Sequence, residues 1–294
     1  MKKFLRYSHL LTLLCGILGM LLMVWLRAGG PDEKGLYPAR HPAWTLLGIL
    51  TTVILVCLWL LSSKAGNHRG HRTNFPPSPM AAIGYVLAGS SMICASLSLL
   101  ENAQMLEMLT AILGLLSCCA LFYGGFCRFN GTRSPISLHA LPCLFFTLQL
   151  FCLGKSLGAE TQISVYLYPF LSTLTSIPAC YWLWSFEVDQ GNRSQCLFWC
   201  MAAAYCNLVA CIGSEQWMVY VSVALWLLSA LPRLKYVPKR LRPETTQQQA
   251  DAADWPTPPN ENVQAQVASH TPPVQDVDMI LEQILWEFGT QDTP

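Results

Sequence analysis

No charged residue stands in the middle of any long apolar stretch of this chain, and that absence weighs against several functions at once. Ionisable groups inside a membrane mark proton relays, ion pathways and coupled transport, because charge in hydrocarbon is costly. Here Glu101, Glu107, Glu160 and Glu215 fall at one set of stretch ends, and Glu187 and Asp189 at the other. Charge is scarce throughout. With 12% charged and 53% hydrophobic residues, the chain lies well below the ~25% charged content of soluble domains. It also lacks any basic surface concentrated in a folded domain, so nucleic acid is not an expected partner. The thirteen cysteines include no Cys-x-x-Cys pair, the commonest zinc and redox signature. Most of them sit inside apolar stretches and read as small packing residues. A hydrolase needs a nucleophile and a base within reach of each other. His9 and His139 lie near stretch ends, and His68 and His71 sit in the run Asn67–Arg72, which reads as a solvated basic loop. No catalytic residue, metal ligand or cofactor-binding residue is expected, and the chain is read as not an enzyme.

What the chain does have is eight apolar stretches, near 9–26, 43–62, 80–100, 106–126, 136–154, 163–186, 195–213 and 217–232. Most reach or approach the ~20 residues that a helix needs to cross a bilayer. The first follows Lys2, Lys3 and Arg6 but is longer than a signal-peptide core and has no small-x-small cleavage site after it, so it reads as an uncleaved span. With the N-terminus inside, 14 of the 18 Lys and Arg residues fall on the cytoplasmic side, leaving Arg27, Lys34, Arg40 and Lys155 outside. That bias agrees with an even number of spans. Trp25, Trp44, Trp59, Trp182, Trp184, Trp199 and Trp217 support the boundaries, since indole rings favour the membrane–water interface. The expected fold is therefore all-α: a polytopic membrane protein of about eight transmembrane helices in four hairpins over residues 1–242. Both termini are expected in the cytoplasm, and the plasma membrane is the expected location.

One stretch is unusual. In the sixth, Tyr168 and Pro169 precede Ser172, Thr173, Thr175 and Ser176, and Pro178 follows. Each proline deletes a backbone donor and frees a carbonyl that a hydroxyl can satisfy. Two readings stay open: a kinked helix packed through small residues, or a broken helix lining a cavity, as transporters build their midplane sites. Gln149 and Asn207, deep in the fifth and seventh stretches, are expected to hydrogen-bond between helices.

Past the last stretch the chemistry changes. Arg233, Lys235, Lys239, Arg240 and Arg242 are placed to meet anionic lipid headgroups, so membrane lipid is an expected partner. Residues 243–273, rich in Pro, Gln and Thr, carry too little apolar surface to fold and are expected to be disordered. Residues 274–289 differ again: Val277, Ile280, Leu281, Ile284, Leu285 and Phe288 recur at helical spacing. Asp276, Asp278, Glu282 and Glu287 make this amphipathic helix acidic, so an anionic leaflet should repel it. A groove on a cytosolic protein fits it better, and docking on the chain's own basic loops is the competing reading. The leading expectation is thus a non-enzymatic membrane scaffold or accessory subunit that recruits a cytosolic partner. A transporter or small-molecule permease using the sixth stretch comes second, and a membrane enzyme third.

Overall fold

The computed structural model describes residues 8–29, 41–65, 71–75, 77–100, 104–159, 163–212, 214 and 216–231. The chain divides into two units, Met1–Leu241 and Arg242–Pro294. The second unit lies wholly outside the described residues, as do the basic residues 233–242 and the stripe from Val277 to Phe288. Among the described residues there are nine helices and no strand: α1 Ser8–Ala28, α2 Pro42–Ser63, α3 His71–Asn74, α4 Pro79–Leu100, α5 Met105–Asn130, α6 Ile136–Ala159, α7 Ile163–Ser185, α8 Arg193–Ala210 and α9 Trp217–Ala230. Apart from the single turn of α3, each covers one apolar stretch.

Local chemistry fixes the ends. Pro42 starts α2 directly after His41, whose Nδ1 accepts the Ala43 N–H at 3.2 Å. Glu107 reaches back to accept the Gln104 N–H at 3.1 Å, closing the first turn of α5. That helix ends at Gly131, whose φ of 70° is the left-handed conformation glycine adopts without strain. Asn192 caps α8 by accepting the N–H groups of Ser194 and Gln195.

Four helices, α1, α2, α4 and α5, are long and apolar enough to cross a membrane. Their outward faces are apolar too: on α1 alone Leu10, Leu14, Ile17, Leu18, Leu21 and Val24 are exposed. An apolar exterior of that extent suits a bundle embedded in lipid, whereas soluble monomers expose only small apolar patches. The apolar parts of α6 and α9 are shorter.

Neighbouring helices close a ring in the order α4, α5, α6, α7, α8, α9 and back to α4, while α1 and α2 pack together on the outside of α8. Helix α8 is consequently buried on almost every side, from Cys196 through Tyr205 to Ala210. Small residues permit the approach of α1: a Cβ added at Gly19 would stand 2.6 Å from Val209 Cγ2. Phe145, Phe146, Met92, Tyr220 and Trp226 fill the core. Not every cysteine packs inside, however. Cys57, Cys94 and Cys119 lie on exposed faces, where a small apolar side chain meets lipid as readily as protein.

Candidate functional site

The proline-flanked segment of α7 lies inward. Tyr168, Ser172, Thr173, Thr175 and Ser176 are all buried, Ser172 and Ser176 completely, as is Pro169; Pro178 is half-buried. The four hydroxyls turn onto their own helix. Ser172 and Thr173 donate to the Pro169 carbonyl at 2.8 and 2.9 Å, Thr175 to Leu171 at 2.7 Å, and Ser176 to Ser172 at 2.7 Å. None reaches the carbonyl of Leu174, the one freed by Pro178, so they reinforce the preceding turn and do not repair the proline gap.

Tyr168 makes the interhelical tie. Thr51 of α2 donates to the Leu47 carbonyl at 2.8 Å, and its Oγ1 lies 2.7 Å from Tyr168 Oη and 2.9 Å from Tyr205 Oη of α8. A hydroxyl has one proton and two lone pairs. With its proton on Leu47, Thr51 accepts from both tyrosines. Lower on the same face, Asn207 of α8 donates to Ser176 Oγ at 3.0 Å and to the Ala203 carbonyl at 2.8 Å. Gln149 of α6 donates to Gln216 Oε1 at 2.9 Å. Both amides thus bond outside their own helix.

A second polar assembly, missed by the sequence reading, joins three loops at one end of the bundle. It is organised by two carboxylates in the turn between α7 and α8. Glu187 pairs with His71 Nε2 at 3.3 Å and accepts from Ser134 Oγ at 3.3 Å. Asp189, held at a φ of 55°, accepts the His71 backbone N–H at 3.1 Å and pairs with Arg133 at 2.8 Å. Each carboxylate therefore ties the α2–α4 connection to the α5–α6 connection, Glu187 through Oε1 alone and Asp189 through both oxygens. Phe75 sits beneath, edge-on to Phe186, with the Arg128 guanidinium 3.8 Å from its ring centroid. His71 is 2% exposed, which corrects its reading as part of a solvated loop. The cause is distance along the chain. Its carboxylate partners are more than a hundred residues away, so local composition gives no sign of them.

Arg193 lies near the same turn between α7 and α8. It is the first residue of α8 and not a free loop residue, it is 1% exposed, and its guanidinium has no hydrogen-bond partner among the described residues. Cys196 and Cys200 bring their sulfurs within 3.9 Å. Among the described residues no group of three His, Cys, Asp or Glu is arranged to hold a metal. Comparison of the chain with protein-family models, curated proteins and solved structures finds no match.

Proposed function

We propose that this chain is a non-enzymatic integral membrane protein. In this reading it is an eight-helix bundle with both termini in the cytoplasm of the plasma membrane, serving as a scaffold or accessory subunit. It recruits a cytosolic partner through the acidic amphipathic segment 274–289. The observation that carries the reading is how the interior polar groups are used. Thr51, Tyr168, Tyr205, Ser176 and Asn207 bond to one another and to backbone, which makes the bundle a stable platform. The topology draws support from the clasp, because the loops after α2, α5 and α7 meet at one end, as alternating spans require. Those loops carry Lys64 and Arg133, the basic character of a cytoplasmic face.

Two experiments test this. Reporter fusions after Lys64, Arg133, Arg193 and Arg242 should read cytoplasmic, and those near Pro38, Gln104, Gly158 and Ser214 external; a cytoplasmic signal at Gln104 or Gly158 breaks the eight-span topology. In the full-length chain, replacing Ile284 and Phe288 by Asp puts charge on the apolar stripe, so co-purification of a partner should be lost while expression and membrane insertion stay unchanged. Destabilisation of the membrane bundle by the double variant would mean that the segment docks on its own protein, and the recruitment reading fails.

A further inference from the structure

A cavity of about 300 Å³ opens at the end of the bundle opposite the clasp, between the last turns of α4 and the first turns of α5 and α9. That volume is at the lower bound for small-molecule sites. Ala95, Leu99 and Met218 supply apolar surface, and Ser98, Glu107, Gln216 and Trp217 supply polar groups and an indole ring. We infer that this cavity binds a small organic cation, a protonated or quaternary amine with an apolar body.

The charge of the lining carries the inference. Glu107 uses Oε2 to accept the Gln104 N–H, and no cation pairs with it among the described residues. Lys155 directs its ammonium to the Gln104 side-chain oxygen. The lining residues come from three segments, and among them Glu107 is the one ionisable group, with no Lys, Arg or His. A carboxylate facing a half-apolar cavity favours a positive occupant, and repels an anion. Trp217, half exposed beside it, offers the aromatic face that best attracts an ammonium group. A second polar group stands behind the wall: Gln149 is 2% exposed, holds Gln216 through its amide N–H, and leaves its own Oε1 without a hydrogen-bond partner. That amide steadies the Gln216 wall, and its buried oxygen does not open into the cavity.

The same lining argues against a hard metal ion. Calcium takes six to eight oxygen ligands, about half or more of them from protein, and the cavity offers one carboxylate. A neutral ligand would gain nothing from the Glu107 charge. The inference goes beyond the scaffold reading and does not rest on it, because it concerns the opposite end of the bundle and holds whichever way the chain is inserted.

The test uses the full-length protein in nanodiscs and isothermal titration with choline and tetraethylammonium, alongside 3,3-dimethylbutan-1-ol, which replaces the choline nitrogen by carbon. At least one of the two cations should bind saturably at one per chain. The neutral isostere should bind about tenfold more weakly or not at all, the difference expected for one desolvated cation–π and charge contact. Glu107→Gln is the informative variant: glutamine keeps the backbone cap and removes only the charge, so the fold is retained while affinity for the cation falls by about tenfold. Trp217→Ala should weaken binding, and Trp217→Phe should restore part of it. Three results overturn the inference: no saturable binding of either cation, equal binding of the neutral isostere, or unchanged affinity in a Glu107→Gln protein whose thermal unfolding matches wild type.

Discussion

The hydroxyl of Thr51 is the smallest group on which the packing of α2 depends, and its removal can be worked through atom by atom. Thr51→Val keeps shape and volume but deletes one donor and two acceptor sites. Tyr168 retains a fallback, since the Leu47 carbonyl lies 3.4 Å from its Oη. Tyr205 has no second partner among the described residues: it is fully buried, and Thr51 is its hydrogen-bond partner. Leaving one buried donor unsatisfied costs about 1–3 kcal/mol in soluble proteins, while single interhelical bonds in membranes measure about 0.6–1.7 kcal/mol. A loss near 1–2 kcal/mol is therefore expected for Thr51→Val, read as a shift in the equilibrium of reversible unfolding in mixed micelles. Thr51→Ser should restore most of it. The decisive comparison is the double variant Thr51→Val with Tyr205→Phe. Once both partners are apolar no donor is stranded, so the pair should cost less than the two single changes added together. If the two effects add, or if Thr51→Val unfolds like wild type, the hydroxyl does not tie α2 to α8 and the argument is wrong.

The clasp gives a graded expectation: Glu187→Ala, which strands a 3% exposed His71, should destabilise more than Asp189→Ala, whose pair with Arg133 is over a third exposed and worth at most about 1 kcal/mol. Equal losses in the same unfolding assay would contradict that ranking. Cysteines placed at Ser172, Thr173 or Ser176 in a Cys-free background should stay unlabelled by water-soluble thiol reagents, because these positions are at most 1% exposed; rapid labelling would revive the permease reading. Arg193→Met keeps the aliphatic stem and removes a buried charge that lacks a hydrogen-bond partner, so stability should rise by about 1–4 kcal/mol. A fall would reveal an anionic partner for the guanidinium.

Helix positions were legible in the sequence, and for a simple reason: crossing a bilayer demands an uninterrupted apolar run, so 43–62 foreshadows Pro42–Ser63 and 80–100 foreshadows Pro79–Leu100. Where a stretch ran on beyond its apolar part, tertiary contact was responsible. The helix that begins at Met105 continues to Asn130, past the expected end at 126, because Arg128 is buried against Phe75. That Gln149 and Asn207 would bond across helices could be expected, since a buried amide in hydrocarbon needs a partner; which partner could not. The same holds for Glu187 and Asp189, whose positions at the end of a span were plain but whose roles depend on loops far away in sequence. The cavity lined by Glu107 and Trp217 is assembled from three separate segments, so neither residue marks it alone.

The placement of α1 and α2 outside the ring has a consequence for how the molecule is made. Synthesis runs from the N-terminus, so this hairpin is made well before α8, the helix it packs on. Thr51 must wait 117 residues for Tyr168 and 154 for Tyr205. At about 5–20 residues per second of ribosomal elongation, the hairpin waits several seconds or more beside lipid or the insertion machinery with its hydroxyl bonded only to its own backbone at Leu47. The bond to Leu47 is what lets a polar side chain wait there. The pair gains its docking surface only once α8 is made, and a chain truncated before α8 lacks that surface.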